Sequence, residues 1–294
     1  MRNKKRVIAI LLIIFSLTLF VGAAEQLNVL IIGAHPDDAE QAGGLAALYI
    51  NNGHKVKLVS MTNGDAGHYD MNKDSLAQRR RKEAHKAGEV IGAEYVVLDN
   101  HDGHLMPTYQ NRKEVIKLIR EFKSDIVITH RPYDYHPDHR YTGELVRDAA
   151  YMVTVPKIVP GVPHLKTNPL FLYMSDEFTH PESFEPDVTI SIDKVIEEKI
   201  EMYHAHKSQM YEWLPYNKGI LSQVPETEEK RRKWLANWRK KYPSQIADKF
   251  RYQLEKYYGK KAAEINYAEA YQDSEYGTSL TEDNLQHYFP FLPE

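Results

Sequence analysis

Apolar runs of strand length recur along this chain, each followed by a stretch of helical character, and that alternation restricts the fold more than any other feature. The first run is Leu27-Asn28-Val29-Leu30-Ile31-Ile32-Gly33, followed by a helix from about Glu40 to Asn51 that stops at Gly53. His54 to Thr62 alternates as a second strand, Ser75 to Ile91 is a helix, and Glu94 to Leu98 is a third strand. Asn111 to Phe122 is a helix leading into a fourth strand, Asp125 to Thr129. Strands that alternate with helices in this way build parallel sheets with right-handed crossovers. The expected fold is therefore α/β: a Rossmann-like, mostly parallel, doubly wound sheet flanked by helices. Beyond a Pro-rich, irregular stretch from Val153 to Pro169, two later strands are expected at Leu170–Met174 and Asp187–Ile192, and Asp193 is expected to cap a helix running to about Gln209.

In open α/β sheets, ligands bind outside the carboxyl ends of the strands. Two polar clusters occupy that position. Ala34-His35-Pro36-Asp37-Asp38-Ala39-Glu40 follows the first strand, and His136-Pro137-Asp138-His139 follows the fourth, ahead of a helix expected to begin near Tyr141. Capping of the first helix by Asp37 or Asp38 would use one carboxylate and no histidine. Together the clusters offer His, Asp and His with a fourth position open, the pattern of catalytic rather than structural zinc. Asn63-Gly64-Asp65-Ala66-Gly67 forms a glycine-marked loop on the same rim, suited either to a plain turn or to close approach of backbone to substrate. His101 and His104 read as surface-loop histidines, and His204 and His206, two apart, do not share a helix face. No G-x-G-x-x-G follows the first strand, and neither a P-loop lysine motif nor a G-x-S-x-G elbow occurs, which argues against dinucleotide, phosphate-loop and serine-hydrolase chemistry.

The two clusters, in this order and context, resemble the signature pair of the PIG-L (LmbE-like) zinc-dependent N-acetylglucosaminyl deacetylase family. Further similarity lies in Thr62 to Gly67, in Arg80 and Glu83 ahead of Ile91-Gly92, in Asp102-Gly103, and in the ending His206-Lys207-Ser208-Gln209; it covers approximately Leu27 to Gln209. The resemblance implies one Zn2+ per chain, or another divalent metal, held by His35, Asp38 and His139. It implies Asp37 as general base, since Asp37 cannot point the same way as Asp38 along an extended turn. His136 would stabilise the oxyanion or protonate the departing amine, with Asp138 orienting its ring, and Arg80, Asn63 and Asp102 would contact substrate. The expected reaction is removal of acetyl from an N-acetylglucosamine-type sugar or glycan. The alternatives are cleavage of another amide, such as a sugar–thiol conjugate, and metal-containing carbohydrate binding without catalysis. Asp37 beside three ligands favours catalysis, because binding alone needs no base.

The ends of the chain differ from its middle. Arg2, Lys4, Lys5 and Arg6 precede an apolar run from Val7 to Val21 and then Gly22-Ala23-Ala24. This is the pattern of a secretory signal in residues 1–24, so the protein is expected to be exported; the alternative is a retained membrane anchor. Without that segment Lys and Arg fall from 38 to 34 against 41 Asp and Glu, a net charge of about −7, which excludes a general nucleic-acid binder. There is no cysteine, so neither disulfides nor a lipid-modified cysteine anchor can contribute. Residues 25–210 are expected to form the deacetylase domain. Residues 211–294 read as a helical, aromatic-rich extension packed on it; within this, residues 226–261 hold twelve Lys or Arg against five Asp or Glu. The three Trp residues, Trp213, Trp234 and Trp238, all fall in the extension and read mainly as packing; the alternative is that Trp and Tyr with Arg stack on sugars and the positive excess meets an acidic glycan or a membrane surface.

Overall fold

The structure, a computed structural model, describes residues 25–293; the expected signal segment lies outside the described residues. Five strands run parallel in the order β3-β2-β1-β4-β5: β1 (Asn28–Gly33), β2 (Lys55–Thr62), β3 (Glu94–Asn100), β4 (Ile126–Thr129) and β5 (Leu170–Met174). Along β1, Val29 and Ile31 enter one core layer and Leu30 and Ile32 the other, all four fully buried. A strand covered on both faces must be apolar throughout, which is why β1 reads as a continuous run. Helices α1 (Gly43–Asn51), α2 (Lys73–Ile91) and α5 (Ile196–Ala205) cover one face, and α3 (Tyr109–Phe122) and α4 (Pro137–Met152) the other. The strand order reverses between β1 and β4, so the crevice of this sheet opens where those two strands end.

The last third of the chain departs from the expected helical extension. It supplies a π-helical turn (Ser208–Trp213), α6 (Leu214–Asn217), α7 (Glu228–Arg239), α8 (Lys241–Lys249), α9 (Arg251–Tyr258) and α10 (Glu282–Tyr288), but also a strand, β7 (Ala268–Asp273). This strand lies between β5 and β6 (Val188–Ser191), antiparallel to both. Its Glu269 accepts the N–H groups of Gly44 (2.9 Å) and Leu45 (2.8 Å) at the start of α1 and pairs with the buried ammonium of Lys199 at 2.5 Å. The segment is thus part of the central sheet and of the support for α1, and a boundary at residue 210 would cut the sheet. Ala-Glu-Ala-Tyr-Gln-Asp contains no β-branched residue, so propensity conceals the strand.

Two helix starts also differ from expectation. α4 begins at Pro137 rather than near Tyr141, so the second cluster is the first turn of the helix: His136 is its cap and Pro137 its first residue. That turn is polar because it faces the crevice, and apolar periodicity therefore misses it. Asp193 does not cap α5, which starts at Ile196; its carboxylate instead accepts the N–H groups of Asn266 and Tyr267, just ahead of β7. Among the described residues no helix is long and apolar enough to cross a membrane.

Candidate active site

The chain turns sharply as it leaves β1. A side chain on Gly33 would place its Cβ 2.6 Å from that of Asp38, so only glycine allows the turn. Asp38 closes it by accepting the N–H groups of Ala34 (3.0 Å) and His35 (2.7 Å) through Oδ2. Asp37 takes a positive φ of 127°. Its carboxylate meets the π-helical turn, where Gln209 Nε2 donates to Oδ1 at 2.9 Å. Consecutive carboxylates therefore face different partners.

His139, on the first turn of α4, completes a group of three donor atoms. His35 Nδ1 lies 3.2 Å from His139 Nε2 and 3.3 Å from Asp38 Oδ2, and His139 Nε2 lies 3.4 Å from Asp38 Oδ2. Zinc binds nitrogen and oxygen at about 2.0–2.2 Å, so tetrahedral ligands stand roughly 3.3–3.5 Å apart. The triangle fits that spacing. The outer nitrogens give a second fit: His35 Nε2 faces Asp138 (3.2 Å) and Asp102 (3.3 Å), and His139 Nδ1 faces Asp134 (3.1 Å). Carboxylates behind metal-ligating histidines fix the ring orientation and raise ligand basicity. Among the described residues, three overlapping groups could hold a metal ion: His35, His136 and His139; Asp38, His130 and His139; and His35, Asp102 and Asp138.

The electrostatics follow from this crowding. Burial lowers the His139 pKa, but Asp38 and Asp134 overcome it and raise it; His35 is likewise raised, against burial, by Asp102, Asp138 and Asp38. Asp38 is held well below the usual carboxylate range, against burial, by His139, His130 and His35. Asp37 moves the other way, to about 6, because burial and the neighbouring Asp38 charge outweigh His206, Arg239 and the Gln209 hydrogen bond. One carboxylate is a committed anion and the other is poised to exchange a proton.

Several sequence-derived roles need correction. Asp138 does not orient the His136 ring with its carboxylate, which is turned to His35 and to the Gly103 N–H (2.7 Å). It is the backbone N–H of Asp138 that donates to His136 Nδ1 at 3.2 Å, leaving His136 Nε2 to carry the proton. Asn63 does not reach the cleft: its side chain donates to Asp99 and accepts the Asp65 N–H, holding the loop after β2. Asp102 lines the cleft but packs against His35, and that ring with Arg80 holds its pKa, against burial, near 2. Arg80 also lines the cleft, yet its guanidinium is largely spent on the carbonyls of Gly64 and Gly67 (both 2.6 Å) and on Gln209 Oε1 (2.5 Å). Gly64, at φ 68°, leaves no room for a Cβ beside that guanidinium.

His130 and Asp134 were missed in the sequence, and Gln209 was marked by the resemblance but given no role. His130 directly follows β4 and stacks on His139 at 4.3 Å, with its Nε2 3.4 Å from Asp38 Oδ2 and 3.2 Å from the Ala34 nitrogen. Its place at the end of a central strand was the available signal. Asp134 backs His139 from an irregular loop, and Gln209 bridges Arg80 to Asp37 from 172 residues away in the chain. His101 pairs with Asp65, away from the metal-ligand group, and His204 and His206 point to separate partners, Glu228 and Glu40. The cleft at the centre, about 270 Å³, is also lined by Trp213 and Leu214.

The family profile described as PIG-L, GlcNAc-PI de-N-acetylase, matches residues 30–150, which contain both clusters. A diacetylchitobiose deacetylase from Thermococcus kodakarensis is 31% identical over 211 residues, 66% of this chain and 76% of that protein. The N,N'-diacetylchitobiose deacetylase structure from Pyrococcus horikoshii superposes with a TM-score of 0.63 at 23% identity, covering 84% of this chain and 83% of that one. The 4-carboxy-2-hydroxymuconate hydratase from Pseudomonas putida superposes with a TM-score of 0.65 at 20% identity, covering 87% of this chain and 99% of that one.

Proposed function

The chain belongs to the PIG-L family of de-N-acetylases, and on that premise we propose that it is an exported zinc-dependent amidohydrolase removing the acetyl group from an N-acetylglucosamine-type sugar or glycan. The observation that carries this reading is the triangle of His35, Asp38 and His139 donors beside Asp37, a carboxylate with one oxygen uncommitted. Bound zinc would supply Lewis acidity, lowering the pKa of water to about 7 and polarising the amide carbonyl.

The chain's own residues divide the remaining work. Gln209 fixes Oδ1 of Asp37, so Oδ2 is the oxygen that takes a proton from the attacking water. His136 presents Nε2–H to the amide oxygen as negative charge develops there. With Nδ1 already accepting a backbone N–H, a neutral His136 cannot give up its Nε2 proton without becoming an imidazolate. The proton gathered on Asp37 is therefore the one returned to the departing nitrogen.

The test is acetate release from N,N'-diacetylchitobiose and longer chitooligosaccharides, with metal analysis of the same sample. We expect acetate and about one zinc per chain, by the three-ligand logic of catalytic sites. No acetate from any N-acetylated sugar that the zinc-loaded protein binds would overturn the reading in favour of a binding protein. Export rests on the basic start and the small residues Ala23 and Ala24. Amino-terminal sequencing of extracytoplasmic material should begin near Glu25; an intact Met1 in a membrane fraction would point to an anchor instead.

A further inference from the structure

A second cavity of about 520 Å³, which shares His139 and Tyr135 with the cleft as walls, is used by none of these steps. Its walls include the rings of Phe178, Tyr203, Trp238 and Tyr242 and the guanidinium of Arg239. Trp238, Arg239, Lys241 and Tyr242 come from α7 and α8, outside the stretch matched by the family profile. The size and aromatic lining suit a sugar-sized group, whose C–H faces pack on the electron-rich faces of such rings.

The charges around this cavity are not balanced. Asp134 is paired with His139, Asp176 with Arg131 at 2.7 Å, and Lys199 with Glu269. Glu177 stands exposed, and it also borders a neighbouring depression. Arg239 forms no ion pair among the described residues. Its Nε and one terminal nitrogen reach only Met210 Sδ, at 3.3 and 2.9 Å, and its guanidinium lies 4.5 Å from the Tyr203 ring and 4.7 Å from that of Trp238. Thioether sulfur is a weak acceptor. A guanidinium held between two rings, with strong donors unused, is arranged for planar anions such as carboxylate or phosphate.

Resting on the deacetylase reading, we propose that this cavity is a second subsite, which takes the group attached to the acetamido sugar and selects an anionic one through Arg239, with Lys241 at its edge. The substrate class narrows accordingly, to acetamido sugars joined to a uronate or phosphate-bearing neighbour.

Calorimetric binding to the full-length, zinc-loaded Asp37→Asn protein reads the subsite without turnover. The probes are N-acetylglucosaminyl-glucose and N-acetylglucosaminyl-glucuronate, which differ by one carboxylate, and N-acetylglucosamine 1-phosphate, which shows whether phosphate is taken in its place. We expect the glucuronate to bind roughly 10- to 100-fold tighter than the glucose compound, the usual scale of a charge-assisted hydrogen bond. Adding Arg239→Met should erase that preference. Equal affinities in the parent, or an unaltered preference in the Arg239→Met protein, would overturn the subsite. If Arg239→Met does not fold, Lys241→Gln, at an exposed position, and a rise in ionic strength must each shrink the preference; insensitivity to both overturns it equally. Acetate release by the unmodified protein separates the two readings. Acidic preference without acetate release would sink only the deacetylase, and acetate release without acidic preference would sink only the subsite.

Discussion

Asp37 and Asp38 are chemically identical neighbours with opposite assignments, and environment alone separates them. Asp38 sits among His35, His130 and His139 and stays an anion; Asp37 is buried, faces the Asp38 charge, and is pushed to about 6. Gln209 lowers the Asp37 pKa by donating to its charged form, so Gln209→Met removes a stabiliser of the carboxylate and raises that pKa. A base must be unprotonated to act. The acid limb of kcat/KM, expected near or below 6 because a bound cation also favours the carboxylate, should therefore move to higher pH in Gln209→Met while metal content is kept. An unmoved limb would show that Asp37 is not the titrating base. At this scale the sequence located the residues well but not their pairings. Spacing places His35, Asp37, Asp38, His136 and His139 on one rim. It does not show that the Asp138 carboxylate turns to a ring 103 residues away rather than to His136, nor that Asn63 turns inward to bind its own loop.

The parallel strands were legible because each is buried on both faces and must be apolar, and the helices between them because they carry a 3.6-residue stripe. β7 was not legible: its alanines and Glu269 owe their burial to the strand's place between β5 and β6 and under α1. The dependence has consequences for stability. Glu269→Ala leaves the ammonium of Lys199 without its counter-ion at 3% exposure and the first N–H groups of α1 unsatisfied. Breaking a buried pair in this way costs about 3–5 kcal/mol, a large part of ordinary domain stability. Denaturant unfolding should show that loss, and a chain ending at residue 266 should yield no cooperatively folded protein. A truncated chain that melts cooperatively would mean that residues 25–266 fold without β7.

The same architecture superposes on a sugar deacetylase and on a hydratase with similar scores, so the fold as a whole does not choose the reaction. On the proposed reading, what chooses is the site at the crevice where the strand order reverses: three donors at ligand spacing, a poised carboxylate, and a histidine with a free N–H lining the cleft. The central claim is that Asp37 moves the proton and Asp38 holds the metal. The direct measurement is zinc content and acetate release on Asp37→Asn and Asp38→Asn prepared side by side. Asp37→Asn keeps the shape of the side chain but cannot take a proton, so zinc should stay bound while the chemical step falls roughly 10²–10⁴-fold, the usual contribution of a positioned acid–base group. Asp38→Asn should lose zinc and activity together, since a neutral amide is a poorer ligand. Normal turnover by Asp37→Asn, with Asp38→Asn inactive yet fully loaded with zinc, would contradict the account by exchanging the two roles.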